Sequence, residues 1–212
     1  MFTAPRFTGV VSLETIPGQK AVAIGLEAGQ KTQGARAVAV GQQAGMIAQR
    51  AGGVAVGSRA GESDQGVNTV AVGADAGQKS QGPESVAVGK TAGKITQGNR
   101  AVAIGFKSGE SKQGARAVAI GYQSGQLTQG NRAVAIGAGA GGPMQGAMSV
   151  CVGNSATSKF TGAICLGDGA VATANDMLVL GSGIVGGVPG AATAGLTIRI
   201  GNIDYYIALT AV

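Results

Sequence analysis

Glutamine recurs at one position of a 16-residue repeat and is the most regular polar feature of this 212-residue chain. Amides stacked at such a spacing can each donate to one neighbour and accept from the next, which predicts a hydrogen-bonded ladder along a rod. A row of amides that binds sugar or ice is the functional alternative. Glycine follows nearly every glutamine, which predicts a corner there and favours the structural ladder. The column consists of Gln33, Gln49, Gln65, Gln81, Gln97, Gln113, Gln129 and Gln145.

Arginine forms a second column, three residues after the glutamine. Arg100, Arg116 and Arg132 belong to three consecutive repeats, and Arg36 holds the same position earlier in the chain. If successive repeats lie about 4.8 Å apart, as neighbouring strands do, these arginines form a basic ridge. Such a ridge can bind sulfated or uronic-acid glycans, lipopolysaccharide phosphates or nucleic acid, or it can simply keep the rod soluble. Aromatic residues make up only 3% of the chain, which disfavours nucleic acid because bases stack on aromatic rings.

One pair of aromatic residues could contact a ligand. Phe106 and Tyr122 hold the same position in adjacent repeats, at the corner after the first strand, and Lys107 and Gln123 follow them. An aromatic pair beside polar groups suits stacking on a sugar ring, whereas local packing is the simpler explanation. The predicted binding residues are therefore Phe106, Tyr122, Lys107, Gln123, Arg100, Arg116 and Arg132.

Catalytic and metal-binding residues are scarce. The chain has no histidine and ten carboxylates, of which Glu62 and Asp64 form the only close pair, so a glycosidase is a formal alternative only. Cys151 and Cys165 could form a disulfide or hold a metal, but they fill a slot that alanine holds in other repeats. The G-x-G-x-x-G at residues 181–186 is followed by Gly and Pro and cannot open the helix that a dinucleotide site needs. We predict no enzymatic activity, no cofactor and no metal.

These residues are positioned by a repeat that reads A-V-A-I/V-G-x-x-A/S-G-x-x-x-Q-G-x-x. Its first five residues alternate between large and small, which is typical of a strand, and its glycines stand at fixed offsets that suit tight turns. A short fixed period indicates a solenoid in which each turn stacks on the last. We predict an all-β parallel solenoid of about eleven turns, of 16 and then 14 residues, with a C-terminal hairpin cap. The strand motifs begin at Ala21, Ala37, Gly53, Thr69, Ser85, Ala101, Ala117, Ala133, Ser149, Ala163 and Met177.

Packing considerations predict the oligomeric state. Each strand supplies two large apolar side chains that point the same way, while its alanines can line a thin interior. The resulting stripe of valine and isoleucine exceeds the apolar patches that soluble monomers tolerate, and further copies of the chain around a symmetry axis would cover it. We predict an obligate homotrimer with a core that contains Val22, Ile24, Val102, Ile104, Val118, Ile120, Val134 and Ile136.

Two units, S-V-A-V-G at residues 85–89 and A-V-A-I-G at residues 101–105, resemble the head repeats of trimeric autotransporter adhesins. The resemblance covers about residues 21–181. It implies a left-handed parallel β-roll, three chains wide, whose usual period is the shorter one found at residues 149–176. We expect the two extra residues of the longer turns to enlarge one corner. Similar repeats occur in fibres and surface proteins of phages and large DNA viruses.

The ends of the chain lack the repeat. Residues 1–20 are predicted to cap the first turn or to attach to another component, with a strand within residues 7–13. Residues 21–182 form the β-roll, and residues 183–195 form a glycine-rich linker. Residues 196–212 alternate around Gly-Asn and are predicted to form a hairpin that locks the trimer.

The expected setting is a virion assembled in the host cytoplasm. No signal peptide, transmembrane helix or coiled-coil stalk is recognised in the sequence, which disfavours a bacterial surface adhesin. The net charge of +6 permits attraction to anionic surfaces. We predict a structural fibre or surface protein for display or host-glycan attachment, with other virion proteins as partners and no membrane insertion. An ice-binding solenoid is the alternative, although its threonine column, Thr32, Thr96 and Thr128, is interrupted in the other repeats.

Overall fold

The chain folds into a parallel β-solenoid in which two sheets enclose a thin interior. This computed structural model describes residues 11–12, 20–181, 194–200 and 203–209. Within these ranges there are strands and turns but no helix, and the repeat makes about ten complete turns. The predicted all-β parallel solenoid is therefore confirmed, with about ten complete turns where about eleven were expected.

The first sheet has twelve strands, eleven of which are parallel. Each parallel strand pairs with the next at the same repeat position, for example Val86 with Val102 and Ala87 with Ala103. Because of this register, every repeat position becomes a column that runs along the rod. The parallel strands are Val22–Ile24, Val38–Val40, Val54–Val56, Val70–Val72, Val86–Val88, Val102–Ile104, Val118–Ile120, Val134–Ile136, Val150–Val152, Ile164–Leu166 and Leu178–Leu180.

The second sheet has eight parallel strands and covers only the 16-residue turns. Its strands end at the glutamine column, so that Gln97 pairs with Gln113. The strands are Lys31–Gln33, Ile47–Gln49, Ser63–Gln65, Lys79–Gln81, Ile95–Gln97, Ser111–Gln113, Thr128–Gln129 and Met144–Gln145.

The interior is narrow because alanines of the first sheet and of the following corner line it. Ala87 in the first sheet and Ala92 at the following corner are both fully buried. Serine replaces the corner alanine at Ser108 and Ser124, whose hydroxyl oxygens lie 3.2 Å apart. Small side chains let the two sheets approach closely, and few large apolar side chains fit between them. One cluster of this core comprises Ala23, Ala28, Ala39, Ala44, Ala55, Ala60, Ala71, Ala76, Ala87, Ala92 and Ala103.

The glutamine column lies inside the rod rather than at a corner. Each Nε2 donates across the interior to the carbonyl oxygen of the valine that opens the first-sheet strand of its own turn, at 2.7–2.9 Å. The predicted amide–amide ladder takes the form of separate pairs, whereas the bond across the interior recurs in every 16-residue turn. The direct amide bonds, 3.1–3.3 Å long, join Gln33 to Gln49, Gln65 to Gln81, Gln97 to Gln113 and Gln129 to Gln145.

Left-handed backbone conformations recur at the corners and at the centre of the second strand. Non-glycine residues with φ between 53° and 62° occupy the seventh, twelfth and sixteenth repeat positions. Glycine is required at the fifth position, where Gly105 has a φ of 121° and a Cβ would lie 2.6 Å from the carbonyl oxygen of Gly121 in the next turn. This glycine column lets successive corners stack at the strand spacing.

The two shorter turns lack a second strand. In a longer turn, the amide of Gly130 donates to the carbonyl oxygen of Gln145, whereas the amide of Gly146 donates to that of Ser158, both at 2.9 Å. Ser158 thus takes the place of the glutamine, although only one residue separates it from the corner residue Ala156. The longer turns therefore use their extra length to build the second strand. The expected enlargement of a corner is wrong, because it is the strand segment that contracts in the shorter turns.

Short strands are described at both ends of the chain. Val11–Ser12 pairs antiparallel with Val22–Ile24 at the edge of the first sheet, and the rest of the strand predicted within residues 7–13 lies outside the described residues. Ala194–Ile200 and Ile203–Leu209 pair antiparallel as a hairpin, two residues earlier than predicted. Most of the predicted linker at 183–195 also lies outside the described residues, as does the glycine motif after Gly181. Capping by either end stays a prediction.

Candidate functional site

The outward face of the first sheet is an apolar stripe along the solenoid. Each of the eleven parallel strands contributes two side chains to it, none of which is buried. The residue between them is a buried alanine or cysteine in ten strands and the half-buried Val179 in the last. The exposed fraction reaches 39% at Ile104 and 56% at Leu178. The predicted trimer-core residues Val22, Ile24, Val102, Ile104, Val118, Ile120, Val134 and Ile136 all belong to this stripe.

The outward face of the second sheet is polar by contrast. In its six three-residue strands, the first position is lysine or serine in four and isoleucine in two, and all six side chains are exposed or half-buried. The middle position is exposed in five of these strands, including Thr32 and Thr96 of the interrupted threonine column. The two broad faces of the rod therefore differ in polarity, and only the first resembles a surface that other protein must cover.

The aromatic pair at the corner after the first strand is a stacked one. The ring centroids of Phe106 and Tyr122 lie 5.5 Å apart, with an interplanar angle of 18°. Lys107 places its Nζ 5.7 Å from the centroid of Phe106, and the backbone amide of Gln123 donates to the carbonyl oxygen of Phe106 at 2.9 Å. The four predicted residues thus form one cluster. With 56% of Tyr122 exposed, its ring remains available to a ligand.

The arginine column is divided by an ion pair. Arg100 donates from Nε to Oε2 of Glu84 in the preceding turn at 2.7 Å. This hydrogen bond and the arginine charge hold the pKa of Glu84 below its ordinary value, and the same contact raises the pKa of Arg100. No carboxylate of the described residues lies within ion-pair distance of Arg116 or Arg132. These two arginines line a groove together with Ala115, Asn131, Ala147 and Met148.

The predicted binding residues fall into two separate clusters. Phe106 and Tyr122 follow the carboxyl ends of first-sheet strands, whereas Arg116 and Arg132 precede the amino ends of such strands. Because the strands are parallel and in register, these positions lie along opposite edges of the sheet. The sequence places both sets in the same turns but does not reveal that the sheet separates them.

The two cysteines are free, fully buried and adjacent. Cys151 pairs with Cys165 in the neighbouring strand, and the Sγ of Cys165 donates to the carbonyl oxygen of Thr157 at 3.2 Å. Burial raises the pKa of the Cys151 thiol to about 12, and the neighbouring Cys165 adds to this rise. A thiol of this kind is a poor nucleophile at neutral pH, which fits the packing role of the alanine it replaces.

The carboxylates serve contacts between turns. Glu62, one of the pair considered for catalysis, accepts a hydrogen bond from Nε2 of Gln78 at 2.5 Å. An ion pair missed in the sequence joins Arg59 Nε to Asp75 Oδ1 at 2.8 Å, and Lys94 Nζ lies 3.8 Å from Asp75 Oδ2. The 16-residue separation of Arg59 and Asp75 could have predicted it. In the described part of the chain, no three His, Cys, Asp or Glu residues form a group that could hold a metal ion.

Comparisons with family models, with curated proteins and with solved structures find no match to this chain. Among the described residues there is also no helix with the length and hydropathy needed to cross a bilayer. A functional assignment therefore depends on the surfaces themselves: one apolar face, one polar face and two edges that carry distinct side-chain clusters.

Proposed function

We propose that this chain is a structural, non-enzymatic protein that forms a rigid homotrimeric, left-handed β-roll. In this proposal the trimer belongs to a virion fibre or virion surface and displays a surface for attachment to host glycans. The observation that carries the proposal is the apolar stripe on the first sheet. The resemblance of the repeats to trimeric adhesin heads supports the handedness, the number of chains and the viral setting.

The stripe favours an assembly because the monomer leaves it in water. Its side chains come from every turn, so the apolar surface is continuous along the described solenoid. Burying apolar surface contributes about 25 cal/mol per Å² removed from water, and the contribution grows with each added turn. The second sheet carries lysine and serine on its outer face and gives no comparable gain. Three copies with their first sheets inward cover the stripe and leave the polar sheets outside.

An inward-facing trimer leaves surfaces for attachment. The polar second sheet stays in contact with water. The aromatic cluster around Phe106 and Tyr122 offers a platform for a sugar ring, and the arginine column offers positive charge for acidic sugars. Both clusters sit on a repetitive scaffold whose backbone is fixed from turn to turn, which is suited to rigid display.

The molar mass in solution tests the assembly. Light scattering on the purified chain is expected to give about three times the 20.5 kDa mass of one chain. Ile120→Lys places a charge in the stripe and is expected to reduce the mass to that of one chain, because an unpaired buried ammonium costs several kcal/mol. Ser111→Lys is the matched control, because lysine already occupies the same position of the second sheet at Lys31 and Lys79.

A monodisperse wild-type monomer would overturn the proposal, whatever the variants do. A wild-type trimer in which both lysine variants have the same mass would also contradict it, because the stripe would then lie outside the interface. Circular dichroism on each variant shows whether the strands are retained.

A further inference from the structure

In the groove at Arg116 and Arg132, two arginines without an ion-pair partner among the described residues lie beside an asparagine amide in a surface depression. Both arginines are exposed and share a φ of 59°, so their side chains leave the backbone in the same direction. The amide of Arg132 donates to the carbonyl oxygen of Ala115 at 2.9 Å, which fixes the spacing of the two turns. Stacked turns place the two Cα atoms about 4.8 Å apart.

The side chains on either side of Asn131 in this groove are short. Ala115 and Ala147 flank Asn131 at the fifteenth repeat position. Asn131 accepts a hydrogen bond through Oδ1 from the backbone amide of Ala115 at 2.9 Å. Its amide nitrogen therefore keeps two N–H groups that can donate to an anion.

The column of unpaired arginines is interrupted on both sides of these two turns. On one side, Arg100 is neutralised by Glu84 at 2.7 Å. On the other side, the sixteenth position is held by Met148, an exposed apolar residue. An anionic group that approaches the column thus meets two guanidinium groups, each with several donors in a planar fork, and no carboxylate of the described residues lies within ion-pair distance of either.

We propose that this groove binds the sulfate groups of a sulfated glycan. The inference rests on the proposed attachment function and names the ligand class and the site. A sulfated glycan supplies the anion for Arg116 and Arg132 and an apolar ring face for Met148. Nucleic acid would bind by its phosphates alone, because the groove contains no aromatic side chain, and Phe106 and Tyr122 lie along the opposite edge of the sheet.

The test measures binding of the intact protein to immobilised heparin, with unsulfated dextran as the neutral polymer. The double variant Arg116→Ala/Arg132→Ala is expected to weaken heparin binding by at least about ten-fold, because charge-assisted hydrogen bonds are lost. The double variant Lys31→Ala/Lys79→Ala removes the same charge from exposed positions of the second sheet, outside the groove. It is expected to stay within about two-fold of the wild type, at an ionic strength where long-range attraction is screened.

Equal weakening by the two double variants would overturn the inference, because binding would then follow net charge. Binding to dextran, or duplex DNA binding as tight as heparin binding with the same dependence on Arg116 and Arg132, would overturn it too. Light scattering on the same samples separates the two proposals. A trimer that fails to bind heparin contradicts the groove alone, whereas a monomer contradicts the assembly.

Discussion

Gln97 shows how a polar side chain can hold a core that is too narrow for large apolar ones. Its Nε2 donates to the carbonyl oxygens of Val86 at 2.7 Å and of Ala101 at 3.3 Å, and also to Oε1 of Gln113 at 3.1 Å. The residue is only 2% exposed, so the bonds of its Nε2 replace water that cannot enter, whereas its buried Oε1 accepts no hydrogen bond from the described residues. Each such bond contributes about 0.5–1.5 kcal/mol net, while an unsatisfied buried group costs about 1–3 kcal/mol.

The substitution Gln97→Glu tests this account through its pH dependence. An ionised carboxylate cannot donate to Val86 and would face that carbonyl oxygen, so burial raises the pKa of the introduced carboxyl. We expect Gln97→Glu to lower the free energy of unfolding by about 3 kcal/mol at pH 7. The introduced carboxyl is buried there either as a charged group or with an unsatisfied hydrogen-bonding group beside it. A raised folded-state pKa means that the penalty grows as the pH rises above the unfolded value of about 4.3 and fades below it. Thermal unfolding followed by circular dichroism between pH 3 and 8 measures this.

Gln42→Glu is the control for that experiment. Gln42 lies exposed at a corner and makes no hydrogen bond comparable to that of Gln97. A carboxyl there stays solvated, so its pKa should equal that of the unfolded chain and the stability profile should match that of the wild type. Identical pH profiles for Gln97→Glu and Gln42→Glu would contradict the role assigned to the buried amides.

The second strand is the element with the least regular backbone. In its first six copies the central residue adopts the left-handed conformation, with φ values such as 54° at Thr96 and 62° at Thr32. Such a conformation costs a non-glycine residue about 1–3 kcal/mol, and a β-branched residue is disfavoured there most. Thr128 holds the same repeat position but is not among the residues with positive φ. The same residue type in one column therefore occupies two backbone conformations.

Glycine substitutions at these two threonines are expected to act in opposite directions. Thr96→Gly removes backbone strain, which offsets the entropy that glycine loses on folding, so the midpoint of thermal unfolding should stay unchanged or rise. Thr128→Gly has no strain to remove and should lower stability by about 1 kcal/mol. Both side chains are exposed, so packing losses are small in either case. Equal destabilisation by the two variants would contradict the difference in backbone conformation.

The elements differ in how far the sequence predicts them. The first-sheet strands follow from the alternation of valine, alanine and isoleucine, and their register follows from the period. The second strand is harder to predict than the first, because its variable residues show no alternation and its central residue leaves the β region. The interior position of Gln97 is not predicted either, because the glycine that follows it suggests a corner. The groove at Arg116 depends on Glu84 and Met148, which hold the same repeat position in nearby turns. It becomes apparent only when the turns are stacked in register.

The rod as a whole is stabilised one turn at a time. Consecutive parallel strands of the first sheet pair in the same register, and the column of interior amides repeats with the 16-residue turns. Stability in such an array is close to a sum of turn and interface contributions. The length of the rod is therefore adjustable, provided that each turn stays complete and every column keeps its register.

Deletion of one whole turn tests this modularity. Removal of residues 101–116 joins Arg100 to Ala117, which restores the normal sequence of a corner followed by a strand. The shortened chain should keep its β-sheet circular dichroism and its oligomeric mass, and its rod should be about 4.8 Å shorter by small-angle scattering. Removal of residues 101–114 instead leaves Ala115 and Arg116 as surplus residues after Arg100. Two extra residues at a corner that glycine packs tightly should lower the midpoint of thermal unfolding much further. If both deletions are tolerated equally, register between whole turns does not determine the stability of the rod.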